Sequence, residues 1–254
     1  MQGIRRCSGA ADLPHLAFRP GTVCENAAVI RAVLIDAGGV MVLPHHERVT
    51  GVLRDLEIDV GADAAARAHY LGVAAIDRDP PGRAAAYLEA FATGIGVRPL
   101  DRAKAVRELQ VLWSGPAIDL WSQVLDGTAE GLRTLAQRGH RLGVISNADG
   151  TVAEQLGRHE LCQVGEGAGV EVEVVADSFV VGYAKPAPEI FHFALDVMGL
   201  RPSEALYIGD SVWSDVEGAE SVGLTALHFD PLRLCESREH AHLASLLEVA
   251  GFVD

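Results

Sequence analysis

The sequence predicts an α/β protein: a parallel sheet with helices on both faces, interrupted near its start by a helical insert. Three observations carry this. Short apolar runs, among them Ala32-Val33-Leu34-Ile35, Leu142-Gly143-Val144-Ile145 and Leu206-Tyr207-Ile208, lead directly into polar residues or glycine. Continuous apolar runs of that length suit strands buried on both faces, as in a parallel sheet. Helix-like stretches alternate with such runs from about residue 128 onward, the pattern of βα units. Between residues 44 and 122 the texture changes to alanine, leucine, arginine and acidic residues without β-branched runs.

Residues 1–28 show no periodicity and are expected to form a poorly ordered extension. The α/β core is expected from residues 29–43 and 123–254, with the insert at 44–122. Within the insert, residues 49–56, 62–76, 83–92 and 102–112 have the spacing of amphipathic helices separated by glycine and proline. After it, residues 128–137 read as a helix ended by Gly139. A strand over 142–145 ends at Ser146-Asn147. Thr151 and Glu154 have capping-box spacing. Residues 172–176 read as a strand, and Pro188 opens a helix to 197. A strand over 206–208 ends at Gly209-Asp210, and Ser214 with Glu217 has the spacing of a second capping box. A strand over 224–229 and a helix over 241–249 complete the pattern. The glycine cluster at 165–169 lacks a GxGxxG spacing, since position 170 is valine, and reads as a surface loop.

The chain has 254 residues, 49% hydrophobic and 22% charged, which is ample apolar material for a core. Its formal net charge of −14 opposes binding to nucleic acid or anionic membranes, so neither is expected as a main partner. A small anionic ligand needs local positive charge to offset that field. Cys7, Cys24, Cys162 and Cys235 form no CxxC pair or other zinc signature and read as free thiols of a reducing compartment. His240 and His242 fall on the expected terminal helix, where no chemical role is expected. The first 26 residues lack the apolar run of a signal peptide, and no stretch approaches the ~18 apolar residues of a membrane span, so a cytoplasmic protein is expected.

Three expected strands end in polar residues: Asp36, Ser146-Asn147 and Asp210. Ligands of open α/β sheets bind at the carboxyl ends of strands, so these distant residues can meet at one edge. Lys185, in the loop before the Pro188 helix, can reach the same edge, and Asp215 follows Asp210 by five residues. Asp36 and Asp210 offer oxygen donors suited to a hard cation such as Mg²⁺. Lys185, the Ser146 hydroxyl and backbone N–H groups can bind phosphoryl oxygens. With that charge neutralised, a carboxylate can attack phosphorus.

This set resembles the haloacid dehalogenase superfamily, in the subfamily with a helical cap between the first two motifs. The four motifs, in order, are Asp36-Ala37-Gly38-Gly39-Val40, Ser146-Asn147, Lys185 within Gly182–Phe191, and Gly209-Asp210-Ser211-Val212-Trp213-Ser214-Asp215. The resemblance implies a Rossmann-like core, Mg²⁺ as cofactor and hydrolysis of a small phosphorylated substrate through an aspartyl-phosphate. It implies Asp36 as nucleophile, with Asp36, Gly38 (through its carbonyl), Asp210 and Asp215 at the metal. Ala37, Gly38, Ser146, Asn147 and Lys185 would bind the phosphoryl group, and Asp215 could instead anchor Lys185.

One position departs from the family pattern. Its phosphatases usually carry a second Asp two residues after the nucleophile, as acid and base; here Gly38 stands there. Such proton-transfer help is typically worth ~10²–10⁴-fold. A substrate with a good leaving group, or a proton from His45 or His46 at the entry to the insert, would compensate. The alternatives are a catalytically weak or non-catalytic protein that binds phosphate and metal, and a 2-haloacid dehalogenase-type hydrolase. A phosphonate hydrolase of this kind needs a lysine in the insert, where only Lys104 is found.

Overall fold

The computed structural model describes residues 29–78 and 83–253. The expected extension at 1–28, with Cys7 and Cys24, lies outside the described residues. The described residues form ten strands: β1 (Ala32–Ile35), β2 (Val42–Leu43), β3 (Gln123–Val124), β4 (Arg141–Ser146), β5 (Cys162–Val164), β6 (Val170–Val172), β7 (Val174–Asp177), β8 (Ala205–Gly209), β9 (Thr225–Phe229) and β10 (Ala241–Leu243). Six of them form one sheet in the order β10-β9-β8-β1-β4-β7, parallel throughout. β1 lies at its centre, with Ala32 opposite both Arg141 and Ala205.

The strand period divides β1 between two cores. Val33 and Ile35 face one, with Leu142, Val144, Leu206 and Ile208. Ala32 and Leu34 face the other, with Ile190, Phe191 and Tyr207. Both faces are buried, which is why the run is apolar without alternation. The first face is covered by α6 (Thr128–Gln137) and α7 (Val152–Arg158); the short α8 (Ser178–Val181) follows β7, and the second face is covered by α9 (Pro188–Met198) and α10 (Glu217–Ser221). This is the expected parallel α/β core.

Between β2 and β3 lie the helices α1 (His46–Val52), α2 (Ala62–Arg78), α3 (Arg83–Gly94), α4 (Arg102–Trp113) and α5 (Ala117–Leu120). Four helices were expected from the spacing. The first stops at Val52, and residues 54–56 form a tighter 3₁₀ turn ending at Glu57, whose φ of 56° is left-handed. These helices pack a core of their own, with Val49, Leu53, Phe91 and Leu109 fully buried. β2 and β3 pair antiparallel at the two chain crossings.

Four local expectations need correction. Neither capping box forms. The Thr151 hydroxyl donates to Asp149 Oδ1 at 2.6 Å, and the Asp177 carboxylate accepts from Gly150 N (2.9 Å) instead. After β8, Ser211 caps a π-turn over Val212–Val216 by accepting from Ser214 N. The single strand over 172–176 is two short strands, β6 and β7, broken at Glu173, which pairs with Arg141. The terminal helix is replaced by β10, a 3₁₀ turn at Leu246–Glu248 and the short α11 (Ala250–Val253). Here sheet pairing overrode local helical spacing, because β10 covers the otherwise open edge of β9. The glycine cluster at 165–169 is indeed the loop between β5 and β6. No described helix is long and apolar enough to cross a membrane.

Packing at the sheet centre leaves little room. A Cβ on Gly143 would lie 2.7 Å from Leu34 Cδ2 and 2.8 Å from Val174 Cγ1. Gly143→Val raises strand propensity, yet it is expected to destabilise the fold by about 1–3 kcal/mol through overpacking. Urea unfolding checks this: an unchanged or higher midpoint would contradict it.

Candidate active site

The carboxyl edge of the sheet gathers the expected residues. Asp36 follows β1, Ser146 ends β4, and Asp210 follows β8; all three are buried. Lys185, from the loop between β7 and α9, is 4% exposed and reaches two carboxylates at once. Its Nζ lies 2.7 Å from Asp36 Oδ2 and 2.6 Å from Asp215 Oδ1. It also donates to the Tyr207 hydroxyl at 2.9 Å, and that hydroxyl donates to Asp215 Oδ1 at 2.8 Å. Asp215 is thus the anchor of Lys185.

The loop after β1 turns sharply. Gly39 N donates to Val42 O at 2.9 Å, and Ala37 N donates to the Asp36 carboxylate at 2.7 Å. Gly39 has φ +78°, and a Cβ there would fall 1.9 Å from Asp210 Oδ2, so only glycine fits. Asn147 works differently from expectation. Its carboxamide accepts from Lys185 N (2.7 Å) and donates to Lys185 O (3.0 Å), which fixes the lysine loop. Its side chain therefore positions the lysine loop, and Asn147 lines the cavity together with Ser146, Asp36 and Lys185.

The helical insert adds residues that the motifs do not contain. His69 on α2 is buried, its Nε2 2.8 Å from Asp210 Oδ2 and its Nδ1 2.8 Å from the Tyr87 hydroxyl. The carboxylate only accepts, so Nε2 carries the proton. The Tyr70 hydroxyl donates to Gly39 O at 2.9 Å. Asp77, in the last turn of α2, accepts from Ser211 Oγ (2.7 Å), Val212 N (2.9 Å) and Trp213 N (3.1 Å). These contacts hold the insert over the loop that follows β8. His45 and His46 are elsewhere: His45 caps α1, and the His46 ring meets Val60 O at 3.1 Å. Among the described residues, the histidine lining the cavity at Asp36 is His69.

Trp121 lies above Gly38. A Cβ on Gly38 would stand 3.4 Å from its ring, an ordinary contact, but a longer side chain would meet the indole face. The space beside Gly38 is thus bounded by the Trp121 ring. Asp36, Lys185, His69 and Trp121 border a cavity of about 620 Å³ between sheet edge and insert.

One oxygen from each of Asp36, Asp210 and Asp215 comes within 4.8 Å of the others. Three carboxylates face one lysine, leaving two negative charges that a divalent cation would balance. All-oxygen donors fit a hard cation of the Mg²⁺ type. Asp36 is pushed from 3.8 up to about 7, chiefly by burial; Lys185 opposes the rise, and the neighbouring Asp215 and Asp210 carboxylates add to it. Burial works against the Lys185 ammonium, yet Asp215 and Asp36 hold it above its ordinary value, so it stays charged.

Fold and site define the class, an α/β protein with a carboxylate–lysine centre at the edge of a parallel sheet, under a helical insert. The family model for haloacid dehalogenase-like hydrolases matches residues 30–223, and the chain belongs to that family. A curated relative, haloacid dehalogenase-like hydrolase domain-containing protein 3 of Bos taurus, is 36% identical over 132 residues, 51% of this chain and 48% of the relative. Phosphoserine phosphatase of Thermus thermophilus is 35% identical over 94 residues, 37% of this chain and 35% of that protein. The chain thus spans about half or less of the length of these relatives. A haloacid dehalogenase-superfamily hydrolase of subfamily IA from Geobacter sulfurreducens shares the fold, with a TM-score of 0.58 at 20% identity over 91% of this chain and all of that one.

The raised Asp36 value has a signed consequence. Folding favours the protonated carboxyl, so this stabilisation is present at low pH and is lost as pH rises toward about 7. A cation competes with that proton. Mg²⁺ is expected to raise the melting temperature, and to do so more above pH of about 7 than at acid pH. Thermal scans across pH test this; indifference to Mg²⁺ above about 7 would remove the cation from this site.

Proposed function

We propose that this chain is a Mg²⁺-dependent phosphohydrolase acting on a small phosphorylated metabolite, with Asp36 as nucleophile. The observation that carries the reading is Lys185 Nζ held between Asp36 and Asp215 at 2.7 and 2.6 Å, beside Asp210. Phosphatase-named relatives support it. Asp36 Oδ attacks phosphorus, the bond to the leaving oxygen breaks, and water then cleaves the acyl phosphate to restore Asp36 and release inorganic phosphate. Bound metal would offset phosphoryl charge and orient its oxygens. Lys185 and the Ser146 hydroxyl bind the phosphoryl oxygens, and the helical insert acts as a cap that limits water. Without a side chain at position 38, the site suits leaving groups that depart with little protonation.

A second reading has a specific observation behind it. Trp121 over Gly38 suits a reaction that needs no proton donor there. Displacement of halide from a 2-haloacid is one: Asp36 attacks carbon, the carbon–halogen bond breaks, and water cleaves the ester. Halide release from such acids, with no turnover of phosphate esters, would favour it.

Asp36→Asn is expected to cut turnover of an activated aryl phosphate by more than about 10³-fold; unchanged turnover would overturn the nucleophile assignment. Gly38→Asp alone is expected to gain little, since the new carboxyl meets the indole. Paired with Trp121→Ala it is expected to gain up to about 10²–10⁴-fold on alkyl phosphates. An equal gain from the single variant would show that Trp121 does not close the slot.

A further inference from the structure

A second cluster of donor atoms lies behind Asp210. His228, Cys235, His240 and His242 each place one ligand atom within 4.8 Å of the others. Two of the separations match a defined geometry. His228 Nδ1 is 3.3 Å from His240 Nε2, and Cys235 Sγ is 3.5 Å from the same nitrogen. A tetrahedral zinc site with Zn–N of ~2.05 Å and Zn–S of ~2.3 Å has N–N edges of ~3.3 Å and N–S edges of ~3.6 Å.

The ring protons are arranged to leave lone pairs facing inward. His228 Nε2 donates to the Asp210 backbone carbonyl at 3.0 Å, and His242 Nε2 donates to Ser237 O at 3.1 Å. A carbonyl oxygen only accepts, so in each neutral ring the proton sits on Nε2 and Nδ1 keeps its lone pair; His228 Nδ1 faces His240, and His242 Nδ1 lies beside the Asp230 carboxylate, a place a bound cation would share. Such outer hydrogen bonds orient metal-binding histidines. The loop is also built to return Cys235 to the cluster. The Asp230 carboxylate accepts from Leu234 N and Cys235 N, both at 2.9 Å, and its Oδ2 lies 3.5 Å from His242 Nδ1. The three rings pack against one another, His240 and His242 stacked at 4.7 Å.

We propose that His228, Cys235, His240 and His242 form a zinc site, separate from the carboxylate centre. Nitrogen and sulfur donors select a borderline-soft transition metal over Mg²⁺. Binding forms a zinc–thiolate bond and releases the Cys235 thiol proton to solvent. The metal ties β10 and the 230–240 loop to β9 and, through His228, braces the backbone of Asp210. The spacing His-x₆-Cys-x₄-His-x-His is not a standard zinc signature, and the fold alone assembles it.

Co²⁺ titration of the chelator-treated full chain tests this by absorption. The expected result is a thiolate-to-cobalt charge-transfer band that saturates at one thiolate-bound Co²⁺ per chain, apart from any Co²⁺ on the carboxylates, and that Zn²⁺ abolishes. The band should vanish in Cys235→Ser and persist in Asp36→Asn, which separates it from the carboxylate centre. Circular dichroism confirms that Cys235→Ser is folded. The wild-type titration decides independently: no thiolate band overturns the proposal. So does a band that survives Cys235→Ser, which would place the metal on another cysteine.

Discussion

The buried ammonium of Lys185, shared between Asp36 and Asp215, is the interaction on which the site's arrangement depends. Its Nζ touches both carboxylates and the Tyr207 hydroxyl. Taking three charges out of water costs several kcal/mol per ion, and the close geometry recovers it only while every member is present. Breaking such a pair typically costs about 3–5 kcal/mol, because an unpaired charge is left behind. Loop positions follow from that constraint. Asn147 grips the backbone of Lys185 from both sides, so the lysine loop cannot drift from the end of β4.

A single lysine cannot neutralise three carboxylates, and the helical insert responds to the remainder. It delivers an imidazole N–H to Asp210 through His69, and a hydroxyl to the Gly39 carbonyl through Tyr70. Asp77 takes up the amides of the loop after β8. An acidic residue in the last turn of a helix is unfavourable to the helix dipole, so Asp77 holds its place through these external donors. The insert therefore completes the polar network at the sheet edge as well as covering it.

How much of this was legible in the sequence varied with its physical origin. Buried parallel strands announce themselves, because both faces must be apolar; β1, β4 and β8 are plain in the chain. Residues at their ends, Asp36, Ser146 and Asp210, follow from topology. Lys185 and Asp215 could be placed near that edge from the sequence, while the role of Asp215 came from the family resemblance. His69, Tyr207 and Asp77 were missed, since each acts through a partner more than 100 residues away or across strands. Tyr207 carried a faint signal: a hydroxyl inside a buried aliphatic strand must find a partner. β10 was misread as helix because edge pairing is a tertiary effect. That misreading hid the histidine cluster, which strand geometry places beside His228.

Gly38 and Trp121 show how the meaning of one residue in a site depends on its neighbours. A glycine with nothing above it would leave an open slot that water could fill. Here the indole occupies that space, its position held by a hydrogen bond from Gln155 to the Trp121 carbonyl and by edge contact with His69. The cavity gains an apolar wall directly over the residue after Ala37. A ligand's leaving portion would meet that wall rather than a proton donor. Under the proposed function, selection in such a pocket would depend on shape and on intrinsic leaving ability, while attraction of the anionic end would rest with Lys185 and a bound cation. The glycine is thus half of a coupled pair, and its chemical meaning is set by the tryptophan above it.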